Sequence, residues 1–362
     1  MIYLIILGVM FLFAFLDVCE ERAFPRYRYI FLAFFFIFLL FFTGGRYKVG
    51  YDYDSYKSIF DMVTLSNFTH LDVEAGYTAL NLILKKLGFG FQAVLFVVAA
   101  WSLLFKYKSI KKYSVYPFVS LIIYYASNFI IQDFGQIRQG LALAMTLYSI
   151  GAIKERNPAK FFGLMAVAVS FHYSAVIFIP FYWIGNVKLS YKKMLTILAA
   201  SLIFYILILG GVFEYIFTNV LKSEYILYKY KAYSGTPLGF FDFTFVFRVF
   251  IFIAFLALRD KIEPKCKYYN ILKNGYFLSI IMYIVFNTNE GLATRGALYF
   301  KLFEIIIIPY IIYAVKNKLL VFNAIIIFYL YAVKDVVGAL LLQTNKFIPY
   351  DNVIIEFIKH LK

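Results

Sequence analysis

Long apolar runs alternate with short polar segments along the whole chain. The apolar runs cover residues 2–18, 29–43, 89–106, 115–131, 139–153, 161–185, 194–213, 243–258, 271–287, 296–315 and 319–342. Most of them approach the roughly 20 residues that an α-helix needs to cross about 30 Å of hydrocarbon. They must be helices, because an open strand would leave its backbone unpaired in lipid. The pattern predicts an all-α polytopic integral membrane protein, a single transmembrane domain over residues 1–362 with about 10 to 12 transmembrane segments.

The composition agrees with this class and excludes a soluble domain. Hydrophobic residues make up 63% of the chain, whereas soluble domains are about 45 to 50% apolar. A net charge of +16 would suggest nucleic acid in a soluble protein, but here Lys and Arg fall in short clusters between apolar runs, where they set orientation. We therefore predict no nucleic-acid partner. Because Cys19 and Cys266 are the only cysteines, we expect no disulfide framework.

Basic clusters between the runs predict the orientation of the chain. They follow the first, third and fifth runs and comprise Arg22, Arg26 and Arg28; Lys106, Lys108, Lys111 and Lys112; and Lys154, Arg156 and Lys160. Because short cytoplasmic loops are rich in Lys and Arg, all three clusters belong inside and the N-terminus belongs outside. The two long loops, 44–88 and 214–242, are then outside, and so is the tail from Gln343.

The run 161–185 does not fit a single crossing. One crossing would place two basic segments, 188–193 and 259–267, on the outer side, against the charge rule. A reversal near His172 returns both segments to the cytoplasm. Each half then has only about 12 residues, too short to span at 1.5 Å per residue. We therefore predict a re-entrant or strongly tilted helical pair with His172 at its tip.

The polar stretch after the second run is the first candidate for chemistry. It places Arg46, Asp52 and Asp54 among four tyrosines at the edge of the hydrocarbon, and Glu74 follows in the same loop. One interpretation is that Arg46 pairs with Asp52 or Asp54 and stiffens a surface loop. The other is that these side chains belong to an outward-facing site, since charge so close to lipid usually has a partner.

Two further arginines open apolar runs at the predicted outer face. Arg138 and Gln139 precede the fifth run, and Arg295 opens the tenth with Tyr299 one turn below it. An arginine at the lipid boundary is costly unless it meets an anion. For Arg138 that anion is either Asp133, or another acid of this protein, or a substrate phosphate, which a guanidinium grips in a bidentate manner.

His172 is the histidine that sits inside an apolar run. It is either a packing or hydrogen-bonding residue, or a base that takes a proton from a sugar hydroxyl near neutral pH. Nucleotide-binding and metalloprotease motifs are absent from the sequence, and the three histidines are too scattered for a metal site. Tyrosines beside the polar cluster, such as Tyr56 and Tyr77, are candidates for stacking on sugar rings.

Several short motifs in this order resemble the EpsG family of bacterial polysaccharide polymerases, which is similar to the Wzy O-antigen polymerases. They are Arg46-x3-Gly50-x-Asp52-x3-Tyr56, Glu74-x-Gly76-Tyr77, Ile137-Arg138-Gln139-x2-Ala142, Phe171-His172-Tyr173-Ser174-Ala175 with Pro180, and Arg295-x3-Tyr299-Phe300 with Pro309. Together they extend over nearly the whole chain.

The resemblance implies an enzyme of the bacterial inner membrane with a GT-C-like helical bundle. Such an enzyme joins undecaprenyl-pyrophosphate-linked repeat units at the outer face. The resemblance carries over to Arg46, Asp52, Glu74, Arg138, His172 and Arg295, and its motifs include Gln139 and Tyr299. The arginines are expected to stabilise the departing pyrophosphate, and His172, or otherwise Asp52 or Glu74, to accept the proton of the attacking hydroxyl.

Pyrophosphate is already a good leaving group, so no metal or other cofactor is expected. A chain-length regulator and a flippase are the partners that such a polymerase implies. Two alternatives stay open at this point, a ligase that transfers the finished glycan to another acceptor and a flippase for lipid-linked sugars. A flippase needs polar residues along a path through the bilayer, whereas here they gather on one face.

Overall fold

The computed structural model describes residues 1–20, 24–67, 71–220, 222, 224–232, 235, 237–240, 242–315, 317–342, 344–353 and 356. In the first half of the chain the α-helices are α1 Ile2–Cys19, α2 Phe24–Gly44, α3 Tyr53–Met62, α4 Ala75–Lys86, α5 Phe91–Tyr113, α6 Pro117–Tyr124, α7 Ile137–Lys154 and α8 Pro158–Phe171. The second half contains α9 Phe181–Ile184, α10 Tyr191–Leu209, α11 Val212–Tyr215, α12 Glu224–Ala232, α13 Phe243–Ala257, α14 Arg259–Ile262, α15 Tyr269–Val285, α16 Leu298–Lys301, α17 Glu304–Ala314, α18 Lys318–Leu342 and α19 Thr344–Phe347. Arg22 and Gln343 lie outside the described residues.

Helices of other types connect some of these elements. Tyr173–Phe178 is a 3-10 helix, and the π-helices are Tyr125–Asp133, Ile216–Val220 and Gly291–Gly296. Among the described residues no strand forms; a lone antiparallel bridge joins Arg46 to Asn352. The prediction of an all-α chain is confirmed.

Five helices, α1, α2, α5, α10 and α18, are long and apolar enough to cross a membrane. Gly291–Lys301 and Glu304–Ala314 meet at 52° and supply a sixth span if they form one broken crossing. The chain is therefore a multi-pass membrane protein. By length and hydropathy, the described residues do not reach the 10 to 12 segments that we predicted, and the GT-C-like arrangement stays a prediction.

The lower number has a structural cause, because several apolar runs fold as shorter or interrupted helices. The run 115–131 divides into α6 and a π-helix, and the run 243–258 forms a helix of 15 residues. A segment buried among other helices can satisfy its backbone without one unbroken 20-residue helix. Apolar length in the sequence therefore overestimates the number of uninterrupted spans.

The run 161–185 is broken where we predicted. Helix α8 ends at Phe171, and His172 takes an extended conformation with φ −155° and ψ 111°. A 3-10 helix begins at the next residue. The break at His172 is confirmed, whereas the direction of the second half stays a prediction.

The chain divides into two compact units, 1–176 with 308–362, and 177–307. In the first unit α7 forms the centre, and α8 packs against it as its antiparallel neighbour after the short connection 155–157. Helix α7 packs on α5, which in turn packs on α2. Nearly every residue from Leu141 to Ile153 is buried, so α7 is surrounded by protein. The short connection places the first turn of α7 and the last turn of α8 at the same end of the pair.

A buried ion pair lies inside this unit and corrects two predictions. Lys106 donates to both carboxylate oxygens of Asp133, at 2.7 and 2.6 Å, and to the Gly140 carbonyl at 3.0 Å. Tyr124 donates to the same carboxylate at 2.8 Å. Lys106 is therefore not part of a cytoplasmic loop, since α5 continues to Tyr113. Asp133 is not the partner of Arg138, because its oxygens are already occupied.

The stretch after α2 is held by the C-terminal segment. Gly50 N–H donates to the Lys346 carbonyl at 2.7 Å, and Tyr47 N–H donates to the Asp351 carbonyl at 3.1 Å. Lys346 also pairs with Asp54 at 3.2 Å. These bonds place the C-terminal segment on the same side as the 44–88 loop, as the charge rule predicted for both.

The predicted loop 44–88 contains two helices, α3 and α4. Tyr53, Tyr56 and Phe60 recur at helical spacing and are buried, which gives α3 one packed face. The apolar positions of this segment are too few for a membrane span, yet they suffice for a helix that packs on protein.

The second unit is organised around α10, α13 and α15. The Asn274 side-chain amide donates to the carbonyls of Ile184, Gly185 and Val187 at 2.7 to 3.1 Å and so anchors the segment before α10. Arg248 points into this unit, where it donates to the Ser279 carbonyl at 2.9 Å. Its side chain is therefore buried in protein and does not extend along the helix toward the membrane surface.

Candidate active site

Glu74 connects two of the predicted site residues. One carboxylate oxygen lies 3.0 Å from Nδ1 of His172, and the other forms an ion pair with Arg138. The Tyr173 N–H also points at the first oxygen, at 3.4 Å. An acid, a cation and an imidazole thus form one continuous cluster, which we call the Glu74 cluster.

Three helix ends bring this cluster together. Glu74 is the residue before α4, Arg138 lies in the first turn of α7, and His172 follows the last turn of α8. The antiparallel packing of α7 and α8 places Arg138 and His172 at the same end. The sequence placed all three on one face, and the structure confirms that they meet.

Gly76 permits the close approach of α4 to α8. A Cβ atom on Gly76 would lie 2.7 Å from the Ser170 carbonyl oxygen, closer than real Cβ contacts come. The glycine two residues after Glu74 therefore allows the carboxylate to reach His172. Its spacing from Glu74 was visible in the sequence, but its contact with α8 was not.

The carboxylate of Glu74 is stabilised in its charged form. Burial raises the pKa of Glu74, but the hydrogen bond with His172 and the positive charge of Arg138 act in the opposite direction and prevail, so this pKa lies below its ordinary value. An ionised carboxylate only accepts hydrogen bonds, so Nδ1 of His172 must carry a hydrogen. In the neutral imidazole the other nitrogen, Nε2, is then the acceptor.

Solvent access differs within the cluster. The side chain of His172 is 27% exposed and that of Arg138 is 23% exposed, whereas Glu74 is 6% exposed. The imidazole and the guanidinium can therefore meet a substrate, while the carboxylate lies behind them. This geometry favours Glu74 as the group that orients His172, and His172 as the base.

Two neighbouring tyrosine rings contact the guanidinium of Arg138. Its central carbon lies 5.5 Å from the ring centroid of Tyr56 and 5.7 Å from that of Tyr77, within cation–π range. Both tyrosines are buried, and burial raises the pKa of Tyr56 to about 12. In this structure both rings are buried against an arginine of the protein, so neither presents a face to a sugar.

Arg46 is fully buried beside the cluster. Its Nη1 donates to the Thr43 carbonyl, and the guanidinium lies 5.1 Å from the Phe134 ring centroid. Among the described residues, no acid lies within ion-pair distance, and Nε and Nη2 have no hydrogen-bond partner. Burial lowers the pKa of Arg46 to about 10, which still leaves it charged at neutral pH. The proposed pairing with Asp52 or Asp54 is therefore wrong, since Asp54 pairs with Lys346.

The other predicted residues occupy different positions. Asp52 immediately precedes α3, where its carbonyl accepts from the Tyr56 N–H at 2.9 Å. Gln139 is buried in the first turn of α7. Arg295 and Tyr299 belong to the second unit; Arg295 is exposed in a π-helix and Tyr299 is fully buried. Within the part of the chain that the structure describes, no three His, Cys, Asp or Glu side chains form a group able to hold a metal.

Comparison with known proteins gives one match. The model of the EpsG family matches residues 29–352, which include every member of the Glu74 cluster. No curated protein and no solved structure matches the chain.

Proposed function

Because the chain belongs to the EpsG family, a family of Wzy-like polysaccharide polymerases, we propose that it polymerises lipid-linked oligosaccharide repeat units by glycosyl transfer. The donor is the growing glycan on undecaprenyl pyrophosphate, and the acceptor is a new lipid-linked unit. The product is an O-antigen, capsule or exopolysaccharide. The reaction takes place at the outer face of the bacterial inner membrane, with the N-terminus outside and with a flippase and a chain-length regulator as partners.

The observation that carries this proposal is the contact of Glu74 with both His172 and Arg138. A terminal sugar hydroxyl of the acceptor attacks the anomeric carbon of the donor, and its proton passes to Nε2 of His172. The bond from the anomeric carbon to the pyrophosphate oxygen breaks, and the electron pair leaves with the pyrophosphate. Glu74 keeps Nδ1 protonated and stabilises the imidazolium that forms.

Arg138 is positioned to stabilise the leaving group. A guanidinium has five N–H donors, and Glu74 takes only part of this capacity, so the exposed side can bind phosphate oxygens. The contacts with Tyr56 and Tyr77 limit the freedom of the guanidinium, which lowers the cost of ordering it on a ligand. Arg46 adds a second buried positive charge near Tyr56 and Tyr77. Arg295, Gln139 and Tyr299 remain proposed pyrophosphate or glycan ligands, and Asp52 remains a proposed second acid or base.

Purified protein with undecaprenyl-pyrophosphate-linked repeat units tests the proposal. Wild-type protein is expected to build a ladder of glycan lengths on a gel. His172→Gln keeps the size of the side chain but cannot accept a proton at neutral pH, so the rate should fall by about 10² to 10⁴. Equal thermal stability of the two proteins excludes unfolding as the cause.

The other outcomes separate the competing functions. If a folded His172→Gln protein builds a normal ladder, His172 is not the base, and Asp52 or Glu74 takes this role in the proposed mechanism. Wild-type protein that makes no ladder but moves a glycan to a different acceptor would be a ligase. Movement of lipid-linked sugars across vesicles without any ladder would identify a flippase.

A further inference from the structure

A small polar cavity lies in the second unit, where α10, α14 and α15 begin. Its volume is about 130 Å³, and it is lined by Leu189, Ser190, Tyr191, Arg259, Tyr269 and Lys273. All these residues border the two segments, 188–193 and 259–267, that the charge rule places in the cytoplasm. We call it the basic cavity.

The chemistry of the basic cavity fits an anion. Lys273 donates to the Leu189 carbonyl at 3.1 Å and to the Asn270 side chain at 3.2 Å, and Arg259 pairs with Glu263 at 2.7 Å. The hydroxyl of Tyr269 is buried and has no hydrogen-bond partner. Two cations and an unpartnered buried donor thus line one cavity, while a single carboxylate, that of Glu263, lies near both cations.

The surrounding charge strengthens this preference. The two basic segments also carry Lys188, Lys192, Lys193, Lys261, Lys265 and Lys267, against the acids Asp260 and Glu263. Clusters of this kind next to membrane helices attract anionic lipids, and basic pockets between such helices bind their phosphate groups.

An apolar groove of about 570 Å³ begins at the same residue, Tyr191. It is formed by α10, α13 and α15 and is lined almost entirely by hydrocarbon and aromatic side chains, including Leu198, Leu202, Phe252 and Phe277. From Tyr191 to Leu202 the helix rises about 16 Å at 1.5 Å per residue. This length is close to half of the roughly 30 Å hydrocarbon core, the depth of one leaflet.

We propose that the basic cavity and this groove together form a binding site for one anionic phospholipid of the inner leaflet. The phosphate group occupies the cavity against Lys273, Arg259 and the Tyr269 hydroxyl, and an acyl chain follows the groove along α10. A lipid fits better than a soluble anion, because the polar cavity and a groove of one-leaflet length meet at Tyr191. The site is separate from the Glu74 cluster and does not depend on the proposed polymerase activity.

Native mass spectrometry of the detergent-purified full chain tests this site. Wild-type protein is expected to retain phosphatidylglycerol about tenfold more tightly than phosphatidylcholine, because the headgroup of the first lipid carries net negative charge. Arg259→Gln/Lys273→Gln should remove this preference. Lys261→Gln/Lys265→Gln removes the same charge from exposed positions of the same segment and should weaken the preference only slightly, because these lysines attract anionic lipid without lining the cavity.

Two further variants test the site if Arg259→Gln/Lys273→Gln fails to fold. Arg259→Gln alone alters an exposed side chain, so it should fold and lose part of the preference. Leu198→Trp places a larger side chain in the groove and leaves the lining of the cavity unchanged. It should weaken the binding of both lipids. Melting temperatures of all variants identify any that are unfolded.

Several results would overturn the proposal. Equal binding of the two lipids by wild-type protein would exclude recognition of the anionic headgroup, and an unchanged preference in Arg259→Gln/Lys273→Gln would exclude the cavity. Displacement of phosphatidylglycerol by an equal concentration of inorganic phosphate would show a small-anion site instead. Displacement by an equal concentration of undecaprenyl phosphate would show a site for the carrier lipid.

Discussion

Glu74 and His172 are 98 positions apart in the chain, yet the carboxylate and Nδ1 of the imidazole lie 3.0 Å apart. The contact fixes which ring nitrogen carries the hydrogen, because an ionised carboxylate can only accept. It also distinguishes two of the three candidates for the base that the sequence offered, His172 first and otherwise Asp52 or Glu74. In the proposed mechanism, the buried carboxylate orients the ring and the more exposed ring meets the substrate.

Glu74 should make stability depend on pH in the acid range. Its pKa is lowered in the folded protein, so its contribution is fully present above the unfolded value of about 4.3 and is lost as the pH falls through the lower folded pKa. Melting temperatures of wild-type protein and Glu74→Gln should therefore keep their difference down to about pH 5, and this difference should shrink as the pH falls below about 4. Convergence already near pH 6 would contradict the lowered pKa.

Arg138→Lys should abolish most activity without unfolding the protein. Lysine keeps the positive charge but loses the planar fork and its cation–π contacts with Tyr56 and Tyr77. We expect the polymerisation rate to fall by about 10² to 10³, the usual loss for one donor to a developing negative charge. Arg156→Lys is the matched control. Arg156 is exposed in the α7–α8 connection, at the end of the helix pair opposite Arg138, so this variant should retain the wild-type rate. Equal rates for wild-type protein, Arg138→Lys and Arg156→Lys would show that Arg138 has a structural role only.

Gly76→Ala should separate Glu74 from His172. The new Cβ would collide with the Ser170 carbonyl, so α4 must move away from α8. We expect a loss of polymerisation rate approaching that of His172→Gln, about 10² or more. Gly163→Ala in the same helix α8 meets nothing within 4 Å and should leave the rate unchanged while it stabilises the helix by roughly 0.5 to 1 kcal/mol. If Gly76→Ala matched Gly163→Ala in rate, the close approach would have no role in catalysis.

The pair Lys106 and Asp133 should show strong coupling in stability. Each side chain is fully buried, so Lys106→Met or Asp133→Leu alone leaves an unpaired charge and should cost about 3 to 5 kcal/mol. The double variant removes both charges and should recover most of this loss. Chemical unfolding in detergent gives the three free energies. Additive losses in the double variant would show that the two charges do not interact.

The orientation of the chain can be measured by labelling single cysteines in intact cells. Cysteines at Ser190 and Lys265 should be protected from an impermeant reagent, because the charge rule places both basic segments inside. A cysteine at Asp54 should react, since the opening stretch and the C-terminal segment lie on the outer side in the same scheme. Labelling at Ser190 or Lys265 would overturn the reversal near His172 and move the lipid site to the outer leaflet.

The sequence by itself determined the class of the protein and the approximate position of its polar face. Apolar runs of membrane length require helices, because lipid offers backbone groups no partner, and this rule holds without knowledge of the fold. The family motifs then indicated Glu74, Arg138 and His172. The pattern also located the break at His172, where a single crossing conflicted with the charge of the following loops.

Only the tertiary structure decided which charges meet. The sequence placed Lys106 in a cytoplasmic cluster and offered Asp133 as a partner of Arg138. Sequence spacing could not show that Asp133 pairs with Lys106 and that Glu74 pairs with Arg138. These partnerships depend on the packing of α4, α5, α7 and α8, which brings together residues far apart in the chain. Charge pairing in a low-dielectric interior is decided by distances of a few ångströms, and only the folded chain defines such distances.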